Sequence, residues 1–214
     1  MDELMEIMKY RRSIRRYKPD DVPDELIEKI LEAARWSPSG DNAQPWRFIV
    51  LRDPEKKKAM GRIATEGSGR RFSAEAFTGR LEERFEKLKD PEKKAKAFRF
   101  LISGEVSAFL AEAPVIIVVC AKLDVWDVPY DSAMATQNMM LMAHALGLGS
   151  CCVVAPVSDM RDDIKTMKLL NVPHGYKIVA PVAIGYPAES RNPRPRLELD
   201  EIVFYEEFGK RRKQ

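Results

Sequence analysis

The chain has 214 residues, of which 45% are hydrophobic and 32% charged, and its net charge is +3. That is enough chain for a domain with a sizeable core, and too little net charge for binding nucleic acid by bulk electrostatics. No run of about 18 apolar residues occurs, which argues against a membrane span, and the acidic start Met-Asp-Glu-Leu-Met-Glu is unlike a secretory leader.

Residues 2–9 read as a helix that runs into Arg11-Arg12-Ser13-Ile14-Arg15-Arg16-Tyr17. Pro23 opens a second helix, where its missing N–H costs nothing. Leu26, Ile27, Ile30, Leu31 and Ala34 are the apolar face of that helix, which stops at Ser37-Pro38. A strand is expected over 47–51 and a polar helix from Pro54. Residues 66–100 are densely charged and helix-prone, with Phe72, Phe77, Phe85, Phe98 and Phe100 spread through them. They suit one or two inserted helices, either a cover over the main body or a solvated hairpin. The apolar run 114–120 suits a central strand buried on both faces. Residues 131–146 predict a long apolar helix, ended by Gly147 and Gly149. A short strand over 151–154 follows, then a helix capped by Ser158 and running to about Leu170. The last strand spans 177–184, and Pro181 inside it points to an edge position or a bulge. The tail, ending Gly-Lys-Arg-Arg-Lys-Gln, leaves the core. There is no internal repeat and no linker. Helices and strands interleave without regular βαβ units, so residues 1–214 are expected to form one α+β domain, a sheet flanked by helices.

Several chemistries lack their residues. No Gly-x-Gly-x-x-Gly follows a strand and opens a helix, and there is no Walker loop. His144, in the apolar helix, reads as a core residue, and His174, in a Pro-His-Gly turn, as a surface one. A Ser-His-Asp or Cys-His site therefore has little support. No cluster of metal ligands is evident. The three cysteines, with Cys151 and Cys152 adjacent, form neither a disulfide framework nor a zinc pattern, so cytoplasmic residence is the expectation. So few acid–base residues suggest chemistry carried by a cofactor.

Three segments remain. Arginine clusters at 11–16 and 191–196 could grip an anion, since the guanidinium is a planar, permanently charged fork of donors. A solvated basic patch is the alternative. Between them lies Ser37-Pro38-Ser39-Gly40-Asp41-Asn42-Ala43-Gln44-Pro45-Trp46. This rigid turn of small polar groups could press against a flat heteroaromatic ring, or it could be a plain helix–strand loop with Trp46 in the core.

Taken in order, these marks resemble the nitroreductase family of FMN-dependent oxidoreductases over nearly the whole chain. They are Arg-Arg-Ser-x-Arg after the first helix, the Pro-Ser-Gly-x-Asn-x-Gln-Pro-Trp turn, the helix end from Gln137 to Gly149, Gly185-Tyr186-Pro187, and the terminal Arg-x-Arg. The resemblance implies an α+β fold with a central, mainly antiparallel sheet flanked by helices. It also implies a homodimer with FMN at the subunit interface. By position, Arg11, Ser13, Arg194 and Arg196 would hold the FMN phosphate, Arg12 the ribityl or phosphate region, and Arg15 the pyrimidine end of the flavin. Pro38, Ser39, Gly40, Asn42 and Gln44 would come from the second subunit to line the ring. Pro156, Val157, Ser158 and Asp159 match the stretch whose backbone approaches flavin N5. That stretch often carries Glu-Gly, where this chain has Ser158-Asp159.

The implied activity is hydride transfer from NADH or NADPH through the flavin to a small-molecule acceptor such as a nitroaromatic or quinone, in a ping-pong cycle. Dehalogenation of the iodotyrosine type and flavin modification are alternatives on the same scaffold. A nucleic-acid or protein interaction module using the basic clusters is the rival from another class. No nucleic-acid or membrane partner is expected.

Overall fold

The computed structural model describes residues 2–211; Arg212, Lys213 and Gln214 of the basic tail lie outside them. Four strands, β1 (Trp46–Leu51), β2 (Val115–Lys122), β3 (Gly149–Cys152) and β4 (Tyr176–Gly185), form an antiparallel sheet in the order β1-β2-β4-β3. Around it lie α1 (Asp2–Tyr10), α2 (Asp24–Arg35), α3 (Pro54–Phe77), α4 (Arg80–Arg84), α5 (Pro91–Ile102), α6 (Val128–Ala145), α7 (Met160–Leu170) and α8 (Leu199–Ile202).

The expected central strand, β2, is buried from Val115 to Ala121. Side chains alternate across a strand, so β2 feeds two cores. Val115, Ile117 and Val119 pack with Ile27, Ile30 and Ala34 of α2 and with Ala135, Met139 and Ala143 of α6. Ile116, Val118 and Cys120 pack on the other face with Met60 and Ala64 of α3, with Phe109 and Leu110, and with Met167 of α7.

Pro181 is not on an edge strand, because β4 lies between β2 and β3. In an antiparallel ladder a residue's N–H and C=O point to the same neighbour. The Pro181 carbonyl accepts from Val153 N at 2.9 Å, just past the end of β3. Its missing N–H therefore falls where that ladder stops and breaks no bond to β2. The bulge is present but lies two residues earlier: Ile178 faces Cys120 and Ala180 faces Val119, leaving Val179 over.

Other boundaries also move. Leu148 N bonds Ala143 O at 2.8 Å and Gly147 N bonds His144 O at 3.0 Å, with Gly147 at φ 76°. This Schellman closure ends α6 so sharply that β3 begins at Gly149, two residues before the expected 151. Asp159, not Ser158, caps α7 by accepting from Arg161 N at 2.9 Å. The Ser158 hydroxyl instead donates to Val154 O.

The charged segment has no break at 66, since α3 runs on to Phe77. Its first part is packed: a Cβ on Gly67 would sit 2.5 Å from Ala155 O, and Ser68 and Ser107 share a buried hydroxyl contact at 2.6 Å. Beyond Phe72 the packing thins. α5 has no buried residue, and Phe77 is 93% exposed. An edge-on contact of Phe85 with Phe98 and ion pairs of Glu75 with Arg71 and Arg84 hold this arm.

Candidate functional site

Past α1 the chain becomes extended and is stitched to the end of the sheet. Ile14 N bonds Ser150 O at 3.0 Å, Lys18 N bonds Tyr186 O at 2.8 Å, and Ala188 N bonds Arg16 O at 2.9 Å. Bridges pair Ser13 with Ser150 and Tyr17 with Pro187. Ile14 is buried against Gly149, where a Cβ would meet its side chain at 2.8 Å. The Tyr17 hydroxyl donates to Ile14 O at 2.6 Å, and burial pushes its pKa up. Backbone pairing thus fixes which way the arginines face.

They face a cleft of about 650 Å³ between this strip, the end of α6 and residues 187–191. Arg11, Arg12, Lys18 and Arg191 supply positive charge, and Glu189 supplies a carboxylate. A second cavity of about 310 Å³ shares Tyr10 and Arg12 and is lined by Arg194 and Arg196. Burial lowers the Arg11 pKa, and the like charges of Arg12 and Arg196 lower it further, with Cys151 opposing. The two arginine clusters therefore converge. Among the described residues, Arg12 Nε and Ser150 Oγ are buried with no hydrogen-bond partner. Crowded cations with unpaired buried donors are what an oxyanion would satisfy.

Arg15 lies next to this cleft. Its backbone N donates to Glu189 Oε1 at 2.6 Å, and its guanidinium sits 5.8 Å from the Phe109 ring centre. Glu189 also accepts from Arg191 at 2.9 Å; burial works against its ionisation, but these donors outweigh burial and lower its pKa. Arg194 and Arg196 are exposed, and Arg196 turns back on the carbonyls of Arg194 and Pro195.

The Pro38–Gln44 turn lies elsewhere. Gly40 N bonds Asp131 Oδ1 at 3.3 Å, near the start of α6, whereas His144 meets the arginines near its end. Those thirteen residues of helix span about 20 Å. Pro38, Gly40, Asn42 and Gln44 are exposed, with Ser39 partly so. Asp41, Asn42 and Gln44 adopt φ of 50°, 53° and 46°, three strained left-handed residues held in part by Gln44 N on Ser39 Oγ at 3.1 Å.

Pro156 and Val157 form a one-turn 3-10 helix beyond the far end of β3, followed by Ser158 and the cap Asp159. Pro156 O accepts from Thr166 Oγ1 at 2.8 Å, and Arg161 holds the Asp159 carboxyl well below its usual range. These four residues do not line the cavities that the arginines line.

Sequence reasoning placed His144 in the core; it is half-buried on the cleft wall. Burial, then Arg11 and Arg12, depress its pKa, which favours the neutral imidazole. Lys18, Ser150 and Glu189 were also missed, and Arg191 was read only as a member of the 191–196 cluster, with no role of its own. Nothing local marks Ser150, which joins the site only through its pairing with residues 13 and 14. His174 is exposed, as expected. Among the described residues no group of carboxylates, cysteines and histidines could hold a metal ion, and no helix is long and apolar enough to cross a membrane.

Known proteins share this arrangement of elements. A NADH dehydrogenase of Thermus thermophilus is 32% identical over 195 residues, 91% of this chain and 92% of the relative. An iodotyrosine deiodinase of Thermotoga neapolitana is 31% identical over 211 residues, 97% of this chain and 100% of the relative. The crystal structure of an oxidized iodotyrosine deiodinase bound to FMN and 3-iodo-L-tyrosine matches with a TM-score of 0.78 at 29% identity, covering 96% of this chain and 100% of that one. The α+β fold expected from the sequence is therefore the nitroreductase fold. The model of the Nitroreductase family matches residues 8–186, from the end of α1 through the turn after β4, and the chain belongs to that family.

Proposed function

We propose that the cleft holds FMN and that the protein is an FMN-dependent oxidoreductase using NADH or NADPH. The observation that carries this is the meeting of Arg11 and Arg12 with Arg194 and Arg196 from the far end of the chain, around two buried donors that lack partners. These groups fit a phosphate. Arg11, Arg12, Ser13, Arg194 and Arg196 bind it, and Ser150 Oγ adds a hydroxyl.

The chemistry supplied by the flavin when bound is uptake of hydride from a nicotinamide and its delivery to a nitroaromatic or quinone, in alternating half-reactions of a ping-pong cycle. The chain supplies position and charge. Arg15 stabilises negative charge at the pyrimidine edge, and the backbone of Pro156–Asp159 approaches N5. Residues 1–214 act as one domain, with the arm of about 66–100 as a cover, and three free cysteines suit a cytoplasmic protein.

Pro38, Ser39, Gly40, Asn42 and Gln44 of a second copy close over the ring. The 20 Å between this turn and the arginines within one chain, and the exposed Leu4, Met5, Met8, Trp126 and Tyr130, support a homodimer that brings them together. The full-length likeness to a deiodinase favours dehalogenation as a second reading.

The test is the visible spectrum of the purified protein, then anaerobic reduction by NADH and by NADPH. A yellow protein bleached by either is expected. Colourless protein that binds no added FMN overturns the proposal. Turnover of nitroaromatics and quinones against 3-iodotyrosine then separates the two readings, and indifference of nucleic-acid binding to salt would argue against any role for the basic clusters in such binding.

A further inference from the structure

Arg16 and Arg191 are the arginines of the two clusters to which no contact with the phosphate or the flavin is assigned, although Arg191 also stands on the wall of the larger cleft. With Arg15 they line a cavity of about 350 Å³ on the side facing the arm. Phe100 of α5 and Phe109 form apolar walls, and Glu105 stands at its side. Phe100 is 47% exposed, so the arm leaves an aromatic face uncovered here. Arg191 is engaged by Glu189. Among the described residues, the guanidinium groups of Arg15 and Arg16 have no carboxylate partner within ion-pair distance. Charge is thus in excess, beside aromatic surface, in a space large enough for a small ring.

We infer that this cavity is a binding site for a small aromatic carboxylate, its carboxylate on Arg16 and Arg191 and its ring against Phe100 and Phe109. Arginine presents paired donors to a carboxylate, and aromatic rings pack edge-on or offset against one another. An inorganic phosphate would match the cations and waste the two phenylalanines. A dianion would also meet Glu105. Binding itself stands independently of the flavin. Because Arg15 is shared with the pyrimidine edge of the flavin, the site would also select acceptors that carry a carboxylate, and that part rests on the function proposed above.

The experiment is calorimetric titration of the purified protein with benzoate, with benzamide as the neutral isostere and with inorganic phosphate. Benzoate is expected to bind about tenfold more tightly than either, the scale of one charge-assisted contact. Arg16→Gln should bring benzoate to parity with benzamide and leave FMN affinity unchanged. Phe100→Ala should weaken benzoate without strengthening phosphate. Equal binding of benzoate and benzamide, equal binding of benzoate and phosphate, or no effect of Arg16→Gln each overturns the inference. In the flavin-loaded protein, the ratio of KM for 4-nitrotoluene to that for 4-nitrobenzoate should fall about tenfold in Arg16→Gln, with the kcat for 4-nitrotoluene unchanged. Absence of flavin would sink the proposed function while leaving the benzoate titration decisive.

Discussion

Residues 11–18 and 80–102 are both densely charged, yet different forces hold them. The first strip is tied to β3 and to residues 186–188 by main-chain hydrogen bonds, with Ile14 driven into the core against Gly149. The second, the arm of α4 and α5, buries only Leu81 and is held by ion pairs such as Lys94 with Glu82 and Arg84 with Glu75. Hydrogen bonds in a packed ladder are nearly indifferent to salt, whereas exposed ion pairs are screened and worth little. The anchor of the cleft is therefore rigid, while the arm, which reaches only the smaller cavity beside Arg15 and Arg16 through Phe100, has the sparse packing of elements that open locally.

The largest break in this contrast comes from the glycine under the strip. Gly149→Val puts a branched side chain where even a Cβ would meet Ile14 at 2.8 Å. Overpacking of this kind costs about 3 kcal/mol. Urea unfolding should show that loss, and FMN affinity should fall with it, because Ser150 and Ser13 move together. An unchanged midpoint would mean that the strip is not locked. Arg196→Ala touches the same site from the exposed tail. It should leave the melting temperature unchanged and weaken FMN binding about tenfold or more, the loss of a charged contact worth about 1.5–3 kcal/mol. Unchanged affinity in a fluorescence titration would remove the tail from the site.

How much of this was legible in the sequence follows from how local each signal is. The helix stop at Gly147 could be read because a left-handed cap calls for glycine. The run from Val115 could be read because burial on both faces leaves no alternation. Pro181 misled as to an edge position, though a bulge is present nearby, because the rule for proline concerns one missing N–H, and which neighbour that N–H would face is set by strand order, a non-local fact. In the site, the arginines were visible as clusters. Ser150 and Glu189 were not, since they reach the cleft through pairing between residues more than a hundred positions apart, and His144 was not, since which face of α6 meets the strip is equally non-local. No element begins at 66, where the charged segment was read to start: Gly67 and Gly69 are small so that α3 can press on Ala155 and Ile102 as it runs on to Phe77.

The arm gives the smallest effect and the sharpest contrast. Burial works against ionisation of Glu75, but hydrogen bonds from Arg84 and Arg71 outweigh it and lower its pKa from 4.5. A carboxylate depressed in the folded state contributes fully above its unfolded pKa, and that contribution is lost as the pH falls through the folded one. Acidification below about pH 4.5 should thus loosen the arm before the strip. Salt at about 0.5 M should do the same near neutral pH by screening the pairs. Glu75→Gln should cost about 0.5–1 kcal/mol locally. Hydrogen exchange is the measurement that resolves it. Amides of residues 80–102 should exchange several-fold faster in the variant and in salt, while Ile14 and Lys18 keep their protection. Equal acceleration of both segments would show that arm and anchor open as one unit and would erase the distinction between them.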